Sequence, residues 1–201
     1  QCFDGFQIGS YHVVSIKSDG SLWGWGSSDF GQLSNTNLIN PTPFQLSPAA
    51  DWTKATVSNY NTFIIKNNGT LWAMGDGRFG LLGNGTTTTI NPTLQQIGIA
   101  TNWQKISAST QMTIGLKTDG TIWGWGQNDQ YEMGNNTCCA NQLIPIQIGT
   151  ANHWMDIEST SMGASAFALK NDGTIWGWGL NTGGLLADNT VMARSVPTQL
   201  N

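Results

Sequence analysis

Short apolar runs recur along the chain, each closed by a turn signal. "HVVSIK" (12–17), "TFIIK" (62–66) and "AFALK" (166–170) are too short for helices and hold β-branched or aromatic residues, so each predicts a strand. An Asp-Gly or Asn-Gly pair follows (Asp19-Gly20, Asn68-Gly69, Asp119-Gly120, Asp172-Gly173), the strongest short-range hairpin signal. Next comes a strand alternating tryptophan with glycine, "SLWGWG" (21–26) or its equivalent. A glycine-rich loop such as "GRFGLLGNG" (77–85) then leads to a last strand of the "PTPFQL" (41–46) kind. Before each set an opening tryptophan starts one more strand, as in "WQKISAS" (103–109). Side chains alternate across a strand, so Trp23 and Trp25 share one face while Gly24 and Gly26 lie on the other. The tryptophan face is expected to fill the gap to one neighbour, and the glycine face to admit the side chains of the other.

The pattern occurs four times, in units of about 1–50, 51–101, 102–151 and 152–201. Trp23, Trp72, Trp123 and Trp176 are spaced 49, 51 and 53 residues apart. Trp52, Trp103 and Trp154 open the last three units, with Phe3 at that position in the first. Trp25, Trp125 and Trp178 complete the W-x-W segments, with Met74 as the fourth member. All 10 tryptophans therefore stand on repeat positions. So do Lys17, Lys66, Lys117 and Lys170 at the end of one strand, and Lys54 and Lys105 after the opening tryptophan. Residues shared by every unit more often build the unit than do chemistry. Four strands in a period of about 50 residues is the signature of a β-propeller blade. The expected fold is all-β: a single repeat domain, 1–201, of four blades of about four antiparallel strands each. It is either an open arc or is completed by other repeats or subunits.

The motifs "LKTDGTIWGWGQND" (116–129) and "IKSDGSLWGWGSSDFGQL" (16–33) closely resemble the regulator of chromosome condensation repeat, and the resemblance covers the whole chain. The repeat's histidine is kept only as His12, with Asn61, Met112 and Ser165 at that place elsewhere. Its G-Q-L-G segment drifts to "GLLG" (80–83), "YEMG" (131–134) and "GLLA" (184–187). The resemblance implies a propeller, and family members usually close a ring of seven blades. Four units leave apolar residues at both ends: Phe3, Phe6 and Ile8 in the first, Phe167, Leu169, Trp176 and Trp178 in the last. Arrays of stacked repeats need polar end caps, so something is expected to cover these faces.

Charge and motifs then narrow the chemistry. Asp, Glu, Lys and Arg make up only 10% of the chain, against roughly 25% in ordinary proteins, and the net charge is −4. With no basic run, there is no electrostatic source for nucleic-acid binding. No apolar stretch reaches the roughly 20 residues of a membrane span. "GDGRFG" (75–80) has the G-x-G-x-x-G form, but a dinucleotide site needs a helix after it, and "LLGNGTTTT" cannot form one. His12 and His153 occupy different repeat positions and predict no triad or metal site. Asp19, Asp119 and Asp172 read as turn residues. "NDQYE" (128–132) holds too few oxygens for calcium. No catalytic, cofactor or metal residue is therefore assigned. Cys2, Cys138 and Cys139 lack zinc spacing. They are either plain loop residues or a disulfide from Cys2 to Cys138 or Cys139, with one thiol left over. Asn84 and Asn135 lie in glycosylation sequons; Asn68 does too, but in a hairpin turn.

The expected function is a non-enzymatic scaffold, extracellular or on the cell surface, that works through protein contacts. Its partners would include other copies of itself, joined head to tail into rings or filaments. Arrays of this repeat starting near "QC" resemble secreted bacterial proteins, with the signal peptide already removed. One alternative is a glycan-binding or adhesin propeller using Phe30, Tyr60, Phe79 and Tyr131. Another, implied by the resemblance, is a regulator of an enzyme or small GTPase.

Overall fold

The computed structural model describes residues 3–35, 37–160 and 163–200; Cys2 lies outside them. Among the described residues sixteen strands form four separate antiparallel sheets, each with its strands in chain order. The first holds β1 (Phe3–Ile8), β2 (His12–Lys17), β3 (Leu22–Ser27) and β4 (Ile39–Ser47). The second holds β5 (Trp52–Val57), β6 (Asn61–Lys66), β7 (Leu71–Gly75) and β8 (Asn91–Gln96). The third holds β9 (Trp103–Ala108), β10 (Met112–Lys117), β11 (Ile122–Gly126) and β12 (Gln142–Gln147). The fourth holds β13 (Trp154–Ser159), β14 (Ser165–Lys170), β15 (Ile175–Gly179) and β16 (Arg194–Gln199). Each sheet packs face to face on the next, so the four form a propeller-like array of blades. β1, β5, β9 and β13 line the inner edge.

The hairpin motif has a local physical cause. Asp119 Oδ1 accepts hydrogen bonds from the Thr121 amide (3.0 Å) and hydroxyl (2.6 Å), and that hydroxyl accepts from Trp123 Nε1 at 2.9 Å. The same relay runs through Asp19, Ser21 and Trp23, through Asn68, Thr70 and Trp72, and through Asp172, Thr174 and Trp176. An acid or amide, a hydroxyl and an indole at alternate positions thus lock the turn onto its strand. The hydroxyl hydrogen bonds hold the carboxyls of Asp19, Asp119 and Asp172 below the usual range.

The glycine in the turn does a second job. Gly20, Gly69 and Gly120 have φ of +76° to +78°, and a Cβ on them would strike the carbonyl oxygens of Ala50, Thr101 and Asn152. The turn thereby comes close enough for its glycine carbonyl to accept from the opening tryptophan amide of the next blade. These bonds are Trp52 to Gly20 at 3.3 Å, Trp103 to Gly69 at 3.0 Å and Trp154 to Gly120 at 3.2 Å.

Each opening ring also meets the first tryptophan of its own W-x-W edge-on. Centroids are 5.9 Å apart for Trp52 and Trp72, 6.2 Å for Trp103 and Trp123, and 5.9 Å for Trp154 and Trp176. The repeated lysine lies over this pair. Lys17, Lys117 and Lys170 sit 3.5, 3.6 and 3.6 Å from the centres of Trp23, Trp123 and Trp176, and Lys66 sits 4.6 Å from Trp52. A cation on an aromatic face explains why lysine recurs there.

The second tryptophan joins the blades. Trp125 Nε1 donates to Leu81 O at 2.9 Å, and Trp178 Nε1 to Glu132 O at 2.8 Å; both acceptors belong to the preceding blade. The indoles lie on the loop glycines Gly83 and Gly134, where a Cβ would come within 2.9 and 2.8 Å of the ring. This corrects one expectation from the strand pattern. The strand glycines Gly24, Gly124 and Gly177 do not receive the neighbouring blade's tryptophan. They are covered by aliphatic side chains of their own blade, such as Leu33 and Leu46 over Gly24. The glycine that admits the neighbour sits in the loop instead, because the indole needs a backbone carbonyl as well as space. Three apolar cores result, one between each pair of consecutive sheets.

His12 links the first two blades. It is buried, and its Nε2 lies 2.9 Å from the Thr62 hydroxyl. Burial lowers its pKa from 6.5 to about 4.

Two outcomes follow from this packing. Gly83→Ala is expected to destabilise by about 2–4 kcal/mol, from an overfilled contact plus a left-handed backbone. Gly173→Ala, with φ +84° and nothing within 4 Å, should cost only the backbone share, about 1 kcal/mol; urea unfolding compares the two. The unfolded chain protonates His12 below its ordinary pKa, whereas the folded chain resists until about 4. Stability should therefore fall as pH drops from 6.5 to 4, by about 3 kcal/mol from this residue. A His12→Asn variant, carrying the second blade's residue at that place, should lose this component in melts across the same range.

Candidate interaction surfaces

Three surfaces stand out. The first is the pair of end faces. Leu22, Leu71 and Ile122 are fully buried by the following blade, yet Ile175 at the same position of the fourth blade is 51% exposed. Ile106 and Ile157 are 3% and 1% exposed, while Phe6 at that position of the first blade is 60% exposed. Trp125 and Trp178 are buried, but Trp25 is only half-buried, with Phe3 at 6.0 Å. The end faces thus carry the residues of a blade contact without a blade on them.

The second is the inner edge. A groove of about 810 Å³ runs between the first three sheets, lined by Phe6, Lys17, Asp51, Thr53, Lys54 and Lys105 among others. Two of its cations are engaged by the next blade. Lys54 Nζ donates to Gln104 O at 2.7 Å, and Lys105 Nζ lies 2.7 Å from both Asp156 and Glu158. These repeated lysines tie inner strands together.

The third is a rim of loops. Tyr11 and Tyr60 stack with rings 5.4 Å apart and 5° from parallel; Phe30 lies 4.5 Å from Tyr60, and Arg78 lies over Phe30 at 5.0 Å. A hydrogen bond with Tyr11 raises the Tyr60 phenol above its usual value. Arg78 Nε and Nη2 grip the buried carboxylate of Asp76 at 2.6–3.0 Å. Beside them a cleft of about 130 Å³ is lined by Tyr60, Asp76, Arg78, Phe79 and Thr110. Of the four aromatics singled out by sequence, Phe30, Tyr60 and Phe79 gather here, whereas Tyr131 belongs to the third blade's loop. Tyr11, Asp76 and Arg78 were not singled out. Tyr11 and Tyr60 precede His12 and Asn61, which share a repeat position, so the repeat register was the signal that could have found the stack.

The remaining candidates are accounted for within loops and turns. "GDGRFG" enters a short 3-10 turn, Arg78–Gly80, and not the helix a dinucleotide needs. Asp76 there is already paired. His153 is exposed at the start of the fourth blade, apart from the buried His12. Among the described residues no three His, Cys, Asp or Glu side chains cluster to hold a metal. Glu132 turns inward, accepts from the Gln130 amide at 2.6 Å, and burial raises its pKa. Asn84 and Asn135 each accept from the threonine two residues on. The cysteine pairing differs from the one weighed with Cys2: Cys138 bonds to Cys139. A tight turn, with Cys139 at φ +70° and its amide donating to Asn128 O, brings the neighbouring sulfurs together.

Comparison with known proteins agrees with this geometry. The family profile described as "Regulator of chromosome condensation (RCC1) repeat" matches residues 6–32 and 103–132, and a second profile of that description matches 119–165. The ultraviolet-B receptor UVR8 of Arabidopsis thaliana is 24% identical over 98% of this chain and 47% of its own length. The mitochondrial RCC1 domain-containing protein RUG3 of the same plant is 24% identical over 96% of this chain and 45% of its own. The chain thus spans about half the length of these relatives. Among solved structures, yeast RCC1 (Prp20) bound to Kap60 superposes with a TM-score of 0.86 at 16% identity, over 99% of this chain and 48% of that one. Human WBSCR16 gives 0.85 at 18%, over 100% and 54%. The chain thus carries regulator of chromosome condensation repeats at residues 6–32 and 103–165, and all four in-register copies fold as blades.

Proposed function

We propose that the chain is a non-enzymatic repeat scaffold that acts through protein contacts, outside the cell or on its surface. The observation that carries this reading is the pair of end faces, which repeat the composition of the internal blade contacts and stand uncovered. Partners of blade shape fit them, whether further repeats or another copy of the chain. Low charge, the abundance of Asn, Thr and Gly, and the Cys138–Cys139 disulfide support an oxidising setting outside the cytoplasm. Solved relatives also engage proteins: yeast RCC1 is described bound to Kap60, and Prp20p with binding properties to Gsp1p and histones.

Self-association in the register of the internal blades sets Trp25 against Ala187, the fourth-blade counterpart of Gly83 and Gly134. A methyl group there crowds the indole, so this contact is weaker than an internal one. Light scattering on the eluting 201-residue chain should show mass rising with concentration. Phe6→Asp or Ile175→Asp should abolish the rise, and Ala187→Gly should strengthen it. A monomer at every concentration, unchanged in all three variants, would rule out self-association.

A further inference from the structure

Two loops of the fold share one backbone shape but not one residue type. In the 3-10 turn Arg78–Gly80, Phe79 has φ 59° and ψ 8°; in its counterpart Thr182–Gly184, Gly183 has φ 76° and ψ 10°. The fourth blade uses glycine where left-handed backbone is required. The second blade places a phenylalanine there, and a bulky residue in that region is strained. The ring does not repay this by burial, since it is 43% exposed. Strain held in a loop beside a cleft marks a functional position more often than a packing one.

The cleft next to Phe79 has a specific chemistry. Tyr60 is held by its stack on Tyr11 and by Phe30, 4.5 Å away. Asp76 and Arg78 neutralise each other through a two-pronged pair, so the lining carries no net charge. Asn59 adds an amide and Thr110 a hydroxyl, while Ser58 donates to Asn61 and Asn61 to the Asp76 carbonyl, and Leu81 adds an apolar patch. Arg78 repels a cationic ligand, and its ion pair with Asp76 leaves no net charge to draw an anion. An exposed aromatic ring, Phe79, with neutral polar groups around it suits a ligand having an apolar face and a rim of hydroxyls. That is a pyranose ring, which stacks its C–H face on an aromatic and turns its hydroxyls to amides.

We propose that the cleft between the second and third blades, walled by Tyr60 and Phe79, binds a neutral sugar ring of a glycan. The site is independent of the end faces and needs no association of the chain.

The test is a titration of the 201-residue chain with cellohexaose, maltohexaose, mannohexaose and chitohexaose, followed by amide shifts and calorimetry. At least one should bind saturably and move the amides of Asn59, Tyr60, Phe79 and Thr110. Phe79→Gly should weaken binding at least about tenfold while leaving the unfolding midpoint equal to wild type or about 2–4 °C higher. Thr110→Trp, which fills the mouth of the cleft, should also abolish binding. Failure of all four sugars to bind overturns the proposal. So does a Phe79→Gly variant that binds normally, or one whose midpoint falls, because the ring would then be a packing residue. A proline-rich peptide that moves the same amides when no sugar does would assign the cleft to protein and overturn it as well.

Discussion

An indole placed on a glycine and hydrogen-bonded to a backbone carbonyl joins one blade to the next. A sheet of four strands exposes two large apolar faces and cannot persist alone, so the array depends on how its faces meet. Trp125 and Trp178 each bury a large ring and satisfy their only polar atom on the preceding blade's loop. The loop must present a glycine, because any side chain would occupy the space of the ring. At the contact between the first two blades, Met74 takes the place of the indole and Ser34 that of the glycine. The two changes are consistent: a narrower, flexible side chain has no N–H to place and tolerates a larger neighbour.

Much of this could be read from the sequence. Asp-Gly-Ser/Thr-x-Trp is a hydrogen-bonding relay as well as a turn, and each of its residues has a role visible in the spelling. The lysines that end β2, β6, β10 and β14 were legible as structural because they recur, and each lies over a tryptophan ring. What escaped were contacts that depend on the third dimension. Alternation assigned Trp23 and Gly24 to opposite faces but could not say which neighbour each face meets. The loops contain so many glycines that nothing marked Phe79 as a residue taking a left-handed backbone. The adjacent cysteines pair because of a turn at Cys139 that no local signal announces.

The same repetition separates framework from function. Residues that return in every blade are consumed by packing: the tryptophans, the turn acids and the lysines of the hairpins. Residues that break the pattern are free to do something else. Tyr11, Phe30, Tyr60, Arg78 and Phe79 lie on loops, gather on one rim, and are not matched as a set in the third or fourth blade. Rigid blades hold such a cluster in place without help from a ligand, which is the usual way a loop site is made precise.

The turn glycines have a consequence for how the molecule comes apart. Gly20, Gly69 and Gly120 each clasp the next blade through one amide, while Gly173 clasps nothing among the described residues. A chain built this way behaves as a line of neighbours, its stability a sum of blade terms and contact terms. The amides of Trp52, Trp103 and Trp154 are then three separate gauges, each reporting the opening of one contact. Unravelling from the fourth blade would register first at Trp154, and loss of the first blade at Trp52, so the direction of fraying is written in the exchange of three hydrogens.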